Sequence, residues 1–276
     1  MLEFPEVNVL AKQLNETIPG KKIKDAVANY SPHKLVWYSS EPSSYREKLI
    51  GKTIEEAYSF GGRLEIKIDD VVLNFNDGIN LRFYKKDDKK PVKHQLYLLF
   101  DDGSVFAATV TMYAGIWCGK QDEIEDNLYY IAAKKSVSPL SQKFTYEYFK
   151  SFINEKTLKM SAKAFLATEQ RFPGIGNGVL QDILLNAKIH PKKKINTLTE
   201  QQMQDIFQSI KTTLSEMVNA GGRDTEKDLF GSFGGYATKL SKNTVFSLCP
   251  NCNIGHIKKE NYMGGSIYYC ESCQIK

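Results

Sequence analysis

The chain has 276 residues, 42% hydrophobic and 25% charged, with 37 Lys plus Arg against 32 Asp plus Glu and a formal net charge of +5. That content supports a real hydrophobic core, and the length admits one large domain or two modest ones. No apolar run reaches the length of a bilayer span and the amino terminus lacks a basic-then-apolar signal pattern, which excludes membrane-spanning and secreted classes and leaves a cytoplasmic expectation (at the nucleoid, in a bacterium). The modest basic excess permits a polyanionic partner without requiring one.

In chain order, Val7, Leu10, Ala11, Leu14 and Ile18 recur at helical spacing, Pro5 suits the first turn, and Pro19-Gly20 ends the helix. From about Thr53 to Phe106 the period changes to two. LEIKI and VVLNF flank Asp69-Asp70, LYLLF and SVFAA flank Asp101-Asp102-Gly103, and both read as hairpins of an antiparallel sheet or sandwich. Between them KKDDKKPVK is a charged loop. Cys118, beside Trp117, reads as a small core residue. The polar stretch KKSVSPLSQK, Lys134 to Lys143, marks a domain boundary. The chain is then helical to about Ala220. Its clearest helix carries Met203, Ile206, Phe207, Ile210, Leu214 and Met217 on one face, with Thr199 and Gln202 as a capping box. Gly221 to Thr244 reads as a loop or linker. Three units result: 1–136, 137–244 and 245–276.

Two motifs carry chemistry. CPNC, Cys249 to Cys252, is followed after seventeen residues by CESC, Cys270 to Cys273. In a cytosolic chain this spacing predicts a tetrahedral, four-thiolate zinc site, closed and therefore structural, on a hairpin turned at Gly264-Gly265. The second motif is FPGIGNGVLQ, from Phe172. Gly174 and Gly176 shape a turn that leads into a helix, whose first N–H groups suit a phosphate, and Asn177 adds a side-chain donor. Lys188 and Lys192 to Lys194 lie close by in sequence.

GIGN ahead of a helix and IHP, a terminal four-cysteine hairpin, an amino-terminal E-x-P-E, the linker SPLS and the stretch NDGINLR together resemble the formamidopyrimidine-DNA glycosylase/endonuclease VIII family. The resemblance implies an α+β multidomain fold: a β-sandwich flanked by helices, then a helix–two-turn–helix domain with a carboxyl-terminal zinc finger. It implies double-stranded DNA with a damaged or abasic site as the partner, bound by a monomer. In that family a base is flipped from the duplex and its glycosidic bond is cut; most members then nick the backbone through a Schiff base on a proline at position 2.

Against that pattern, position 2 is Leu2. Leucine opposes removal of Met1, so the available amine is expected to be the primary α-amine of Met1, which titrates near neutrality. Glu3 and Glu6 match the family's two carboxylates, the first a proton carrier, the second an organiser of the amino terminus. The family's hairpin lysine aligns with Gly62, next to Arg63, and its finger arginine with Gly265, where Lys258 is a candidate replacement. Ile79 matches the methionine that fills the gap left by a flipped base, and Tyr113 is a candidate intercalating aromatic. The expectation is a DNA N-glycosylase of altered lesion range with weak or absent AP lyase activity; the alternative is a non-catalytic sensor of damaged or abasic DNA.

Overall fold

The computed structural model describes residues 2–124 and 127–276. Helix α1 (Phe4–Asn15) carries Pro5 in its first turn, where the missing N–H costs nothing, and it serves two cores at once. Its Val7, Leu10 and Leu14 pack into the first domain, while Phe4 belongs to the core of the second.

The first domain continues through β1 (Ile23–Ala28), β2 (Val36–Tyr38), α2 (Ser44–Leu49), β3 (Ile54–Phe60), β4 (Arg63–Ile68), β5 (Val71–Tyr84), β6 (Leu96–Phe100) and β7 (Val105–Gly119). The hairpins read around Asp69-Asp70 and Asp101–Gly103 are β4–β5 and β6–β7. Strand order is β1-β6-β7-β5-β4-β3, with β2 added to β7 in parallel. The long strands β5 and β7 pair along most of their length and serve both leaves of the sandwich. The first half of β5 holds β4, the start of β7 holds β6, and the end of β7 holds β2.

Where the leaves meet, the β5–β7 register breaks. Asp77 faces Ala114 but Ile79 faces Val110, so Gly78 alone opposes Thr111, Met112 and Tyr113. Such a bulge bends both strands. A Cβ on Gly78 would lie 2.8 Å from Met112 Cβ and 2.9 Å from Tyr113 O, so this crossing closes only over glycine.

Helices α3 (Gln121–Ile124) and α4 (Leu128–Lys135) complete the first domain. The second contains α5 (Tyr146–Lys150), α6 (Glu155–Leu158), α7 (Ala162–Ala167), α8 (Asn177–Asn186) and α9 (Glu200–Asn219), packed on an aromatic core that includes Phe144, Phe149, Phe165 and Phe172. The Thr199/Gln202 capping box forms as read.

Residues 221–244, expected as a loop or linker, have no long regular element but are a fixed strap. Arg223 bridges Tyr236, Lys227 bridges Phe233, Leu229 is buried in the first domain's core, and its carbonyl accepts from Phe83 N–H at 2.9 Å. The tail folds as β8 (Ile257–Tyr262) and β9 (Gly265–Cys270), turned on Met263-Gly264, one residue earlier than read; both turn residues have left-handed φ, 53° and 72°. Among the described residues no helix is long and apolar enough to cross a membrane.

Candidate functional site

Glu3 precedes α1 but does not cap it. Its carboxylate crosses to the other domain and accepts from Gly178 N–H (2.9 Å) and Val179 N–H (2.7 Å), the free donors at the start of α8. The N-cap of α8 is Gly176, which has no side chain to do this. A carboxylate is the favoured partner of a helix amino end, so the residue supplied from 175 positions away takes the place of a local cap. Two of the three glycines of GIGNG, Gly176 and Gly178, are explained by the same contact, while Gly174, at φ 89°, abuts the Gly61–Gly62 backbone. A Cβ on Gly176 would lie 2.5 Å from Glu3 Oε1, and one on Gly178 would lie 1.9 Å from an Arg223 nitrogen. The close approach that these glycines permit is therefore to Glu3 and Arg223.

Arg223 completes the cluster. Its Nε and Nη2 grip both oxygens of Glu6 at 2.9 and 2.8 Å, and Nη1 stands 3.4 Å from Glu3. All three residues are buried. Burial raises the Glu3 pKa and the Glu6 charge adds to that; Arg223 and the two helix N–H groups oppose it. Burial also works against the Arg223 charge, but Glu3 and Glu6 more than reverse it and hold the guanidinium firmly protonated. Two carboxylates against one guanidinium leave the cluster with a net negative charge, which the N–H groups at the start of α8 help to hold.

Glu3 and Leu2 form part of the wall of a cavity of about 660 Å³ between the two domains. Gly174 and Gly176 line it on the helical side, and Arg63, Asn76, Asp77, Trp37 and Trp117 on the sandwich side. Trp37 and Trp117 pack with ring centroids 4.3 Å apart and planes tilted by 47°, and exposed Tyr113 and Tyr129 stand at the rim. The Leu2 side chain packs into the first core, and its backbone N–H donates to Asp77 O at 2.7 Å. Asp77 has a left-handed φ of 56° at the β5–β7 bulge. Its side chain is reached by solvent yet ringed by protein; burial raises its pKa and Arg63 opposes the rise. Arg63 is itself buried and donates to Asn74 Oδ1 at 3.0 Å, in a network that continues through Glu65 to Tyr130.

The four cysteine sulfurs of the tail all lie within 4.8 Å of one another, with Cys249–Cys273 and Cys252–Cys270 each at 3.7 Å. Zinc–thiolate bonds of about 2.3 Å in a tetrahedron require sulfur separations of about 3.8 Å, so these residues fit one structural zinc ion. Backbone N–H groups of Asn251 and Ser272 point at Cys249 and Cys270 Sγ, the usual support for thiolate ligands. The hairpin docks on α8, where Asn177 Nδ2 donates to Ser266 O at 2.9 Å and Gln181 Oε1 accepts from Tyr268 N–H at 3.1 Å.

The structure thus brings Leu2, Glu3, Gly62, Arg63, Tyr113, Gly174 and Gly176 to one cavity, with Glu6 behind them. Met1 lies outside the described residues. Other expected positions fall elsewhere. Ile79 is 1% exposed in the sandwich core, because the bulge turns Asp77 rather than Ile79 toward the cavity, so it has no surface with which to fill a gap in a duplex. Asn177 spends its amide donor on the hairpin. Gly62 abuts the helical domain: a Cβ there would come within 3.2 Å of Gly174 Cα. Lys258 pairs with Glu271 at 3.1 Å and Lys192 with Glu260. The cation beside Gly265 is Lys163 of α7, whose Nζ lies 3.8 Å from where a Gly265 Cβ would be and donates to Tyr262 O.

Sequence reading missed Arg223, Asp77, Trp37, Trp117 and Lys163. One signal was available for the first. The chain holds five arginines among its 37 basic residues, and three of them, Arg63, Arg171 and Arg223, are buried. In a lysine-rich protein an arginine marks a place that needs a bidentate, weakly hydrated cation.

Comparison with known proteins agrees with this arrangement. The model of the formamidopyrimidine-DNA glycosylase N-terminal domain matches residues 1–110, and that of the formamidopyrimidine-DNA glycosylase H2TH domain matches residues 136–228. Formamidopyrimidine-DNA glycosylases of Bacillus cereus (strain ATCC 10987 / NRS 248) and Bacillus subtilis (strain 168) are similar at 25% and 26% identity, over 99% and 100% of this chain and equal shares of theirs. Among solved structures, Lactococcus lactis Fpg in complex with abasic-site DNA matches with a TM-score of 0.84 at 25% identity, covering 99% of this chain and 100% of that one. The same protein bound to DNA containing N7-benzyl-Fapy-dG gives the same values.

Proposed function

The chain belongs to the formamidopyrimidine-DNA glycosylase family, and from that membership we propose that it binds damaged duplex DNA in the cleft between its two domains and acts as a DNA N-glycosylase of altered lesion range, with weak or absent AP lyase activity. The observation that carries the reading is the state of position 2. The Leu2 nitrogen is a peptide N–H donated to Asp77 O. Its lone pair is delocalised into the amide, so position 2 cannot form the family's imine, and only the Met1 α-amine, one residue further out, is left for lyase chemistry. The altered lesion range rests on the cavity wall. Trp37, Trp117, Tyr113 and Tyr129 offer flat faces for an extrahelical base, and Arg63, Asn76 and Asp77 offer polar groups to its edge. Lys163, buried with its Nζ on Tyr262 O, places positive charge behind the hairpin turn, where it would act on phosphates flanking the lesion through its field rather than by contact.

The test is a single-turnover assay on duplexes carrying oxidised purines, oxidised pyrimidines or an abasic site, read with and without hot alkali and with borohydride. Base release that shows as strand breaks only after alkali, with no trapped adduct, is the expected result. An adduct formed in step with base release would overturn the weak-lyase half of the reading. Tight binding without base release would favour the non-catalytic sensor, for which one observation speaks: both Glu3 oxygens are already occupied.

A further inference from the structure

Resting on the glycosylase reading, we infer that Asp77 is the catalytic base, activating water for attack on the sugar in place of an amine nucleophile. The geometry separates the carboxylates at the site. Glu3 has both oxygens on α8 N–H groups and Arg223 within 3.4 Å, and Glu6 is gripped by the same guanidinium. Among the described residues no hydrogen bond or ion pair as close as these reaches the Asp77 carboxylate, which opens into the cavity that Glu3 and Leu2 also line.

The fold puts it there through three features of the same strand crossing. Gly78 packs under Met112 and Tyr113, the three-residue bulge of β7 lifts the rim beside it, and the left-handed φ takes Asp77 out of the strand's regular alternation. Asp accepts that conformation more readily than most residues, but still only where surrounding structure holds it, and such positions gather at functional sites. The backbone carbonyl of Asp77 fixes the Leu2 N–H, so the residue lies beside the position from which the family's nucleophile acts.

The charged and titratable groups around the cavity are Glu3 ahead of α1, Arg63 on β4, Tyr113 on β7 and Tyr129 on α4. Burial lifts the Asp77 pKa above the ordinary carboxylate value and Arg63 opposes the rise, so the group is more basic than a free carboxylate. In the step assigned here, Asp77 takes a proton from water, and the water oxygen bonds to C1′ of the sugar. The C1′–N bond breaks, its electron pair leaves with the base, and the base nitrogen takes up a proton from solvent. The product is an abasic site with a hemiacetal sugar.

The experiment compares the wild-type protein, Asp77→Asn and Asp77→Glu in single-turnover base release from pH 5 to pH 9, with binding to a duplex carrying a tetrahydrofuran abasic analogue measured alongside. Asp77→Asn is isosteric and keeps the backbone acceptor for Leu2. It is expected to slow release about 100-fold or more while binding stays within about 3-fold, and to flatten the acidic limb over which the wild-type rate rises with pH; Asp77→Glu restores part of both. Release by Asp77→Asn within about 10-fold of wild type, or an unchanged acidic limb, overturns the assignment and leaves the glycosylase reading standing. No base release by the wild-type protein from any damaged duplex removes both.

Discussion

The four-cysteine hairpin and the Glu3–Glu6–Arg223 cluster both join separate pieces of chain through polar groups, yet they sit at opposite extremes of sequence distance. Cys249 and Cys273 are 24 positions apart; Arg223 and Glu6 are 217 apart. A metal site brings its own binding energy and can fold a short segment alone. A buried ion cluster brings none to spare, because desolvation of its charges consumes most of their attraction, and it exists only where two already folded bodies meet. The first is thus expected to hold its own fold although it docks on Leu185 of α8 and on Leu240, and the second is a lock between modules.

The largest expected effect comes from breaking the module. Structural zinc contributes roughly 10–16 kcal/mol to folding of a small finger. Cys252→Ser, or chelation, is expected to unfold residues 245–276 and lower duplex affinity 100-fold or more. Emission from Trp37 and Trp117, both in the first domain, should stay unchanged; metal analysis, fluorescence and a binding titration check this together. A shift in tryptophan emission would mean that the tail is not autonomous.

Breaking the lock is expected to act more widely at smaller cost. Arg223→Met leaves two buried carboxylates without their cation, a loss of about 3–5 kcal/mol by chemical denaturation, with zinc content intact. Should the zinc be lost in this variant, the two centres are coupled and the contrast fails. The smallest effect calibrates both. Thr199→Ala removes one half of a capping box on α9, away from either centre, and should cost about 1 kcal/mol while leaving metal and tryptophan signals alone.

The same contrast explains what could be read without coordinates. Helix α9, both sandwich hairpins and the cysteine ligands are encoded by spacing within a few dozen residues, and each is present in the fold. The glycines at 174–178 announced a close approach, but a glycine does not say to what; Gly61-Gly62, Glu3 and Arg223 all arrive from far away in sequence. The choice between Ile79 and Asp77 as the cavity-facing residue turned on one bulge. Because strand faces alternate every residue, a local register break reverses inside and outside, and nothing in NDGINLR specifies how many residues of β7 lie opposite Gly78. Segment 221–244 looked like a linker because glycine and polar composition hides its two anchors, Arg223 and Leu229, each of which has its partners in the first 83 residues.

The crossing from Arg223 back to Glu6 also imposes an order on how the protein comes into being. Chains emerge from the ribosome amino end first, at about 5–20 residues per second, so the 217 positions between these residues correspond to a wait on the order of 10–40 s. Throughout that interval the nascent sandwich carries two carboxylates without their guanidinium, and Phe4 waits for the helical core that is built from Phe144 onward. The opening segment is therefore among the last to settle although it is the first to be made, and the cavity that it walls cannot take shape until translation is nearly over.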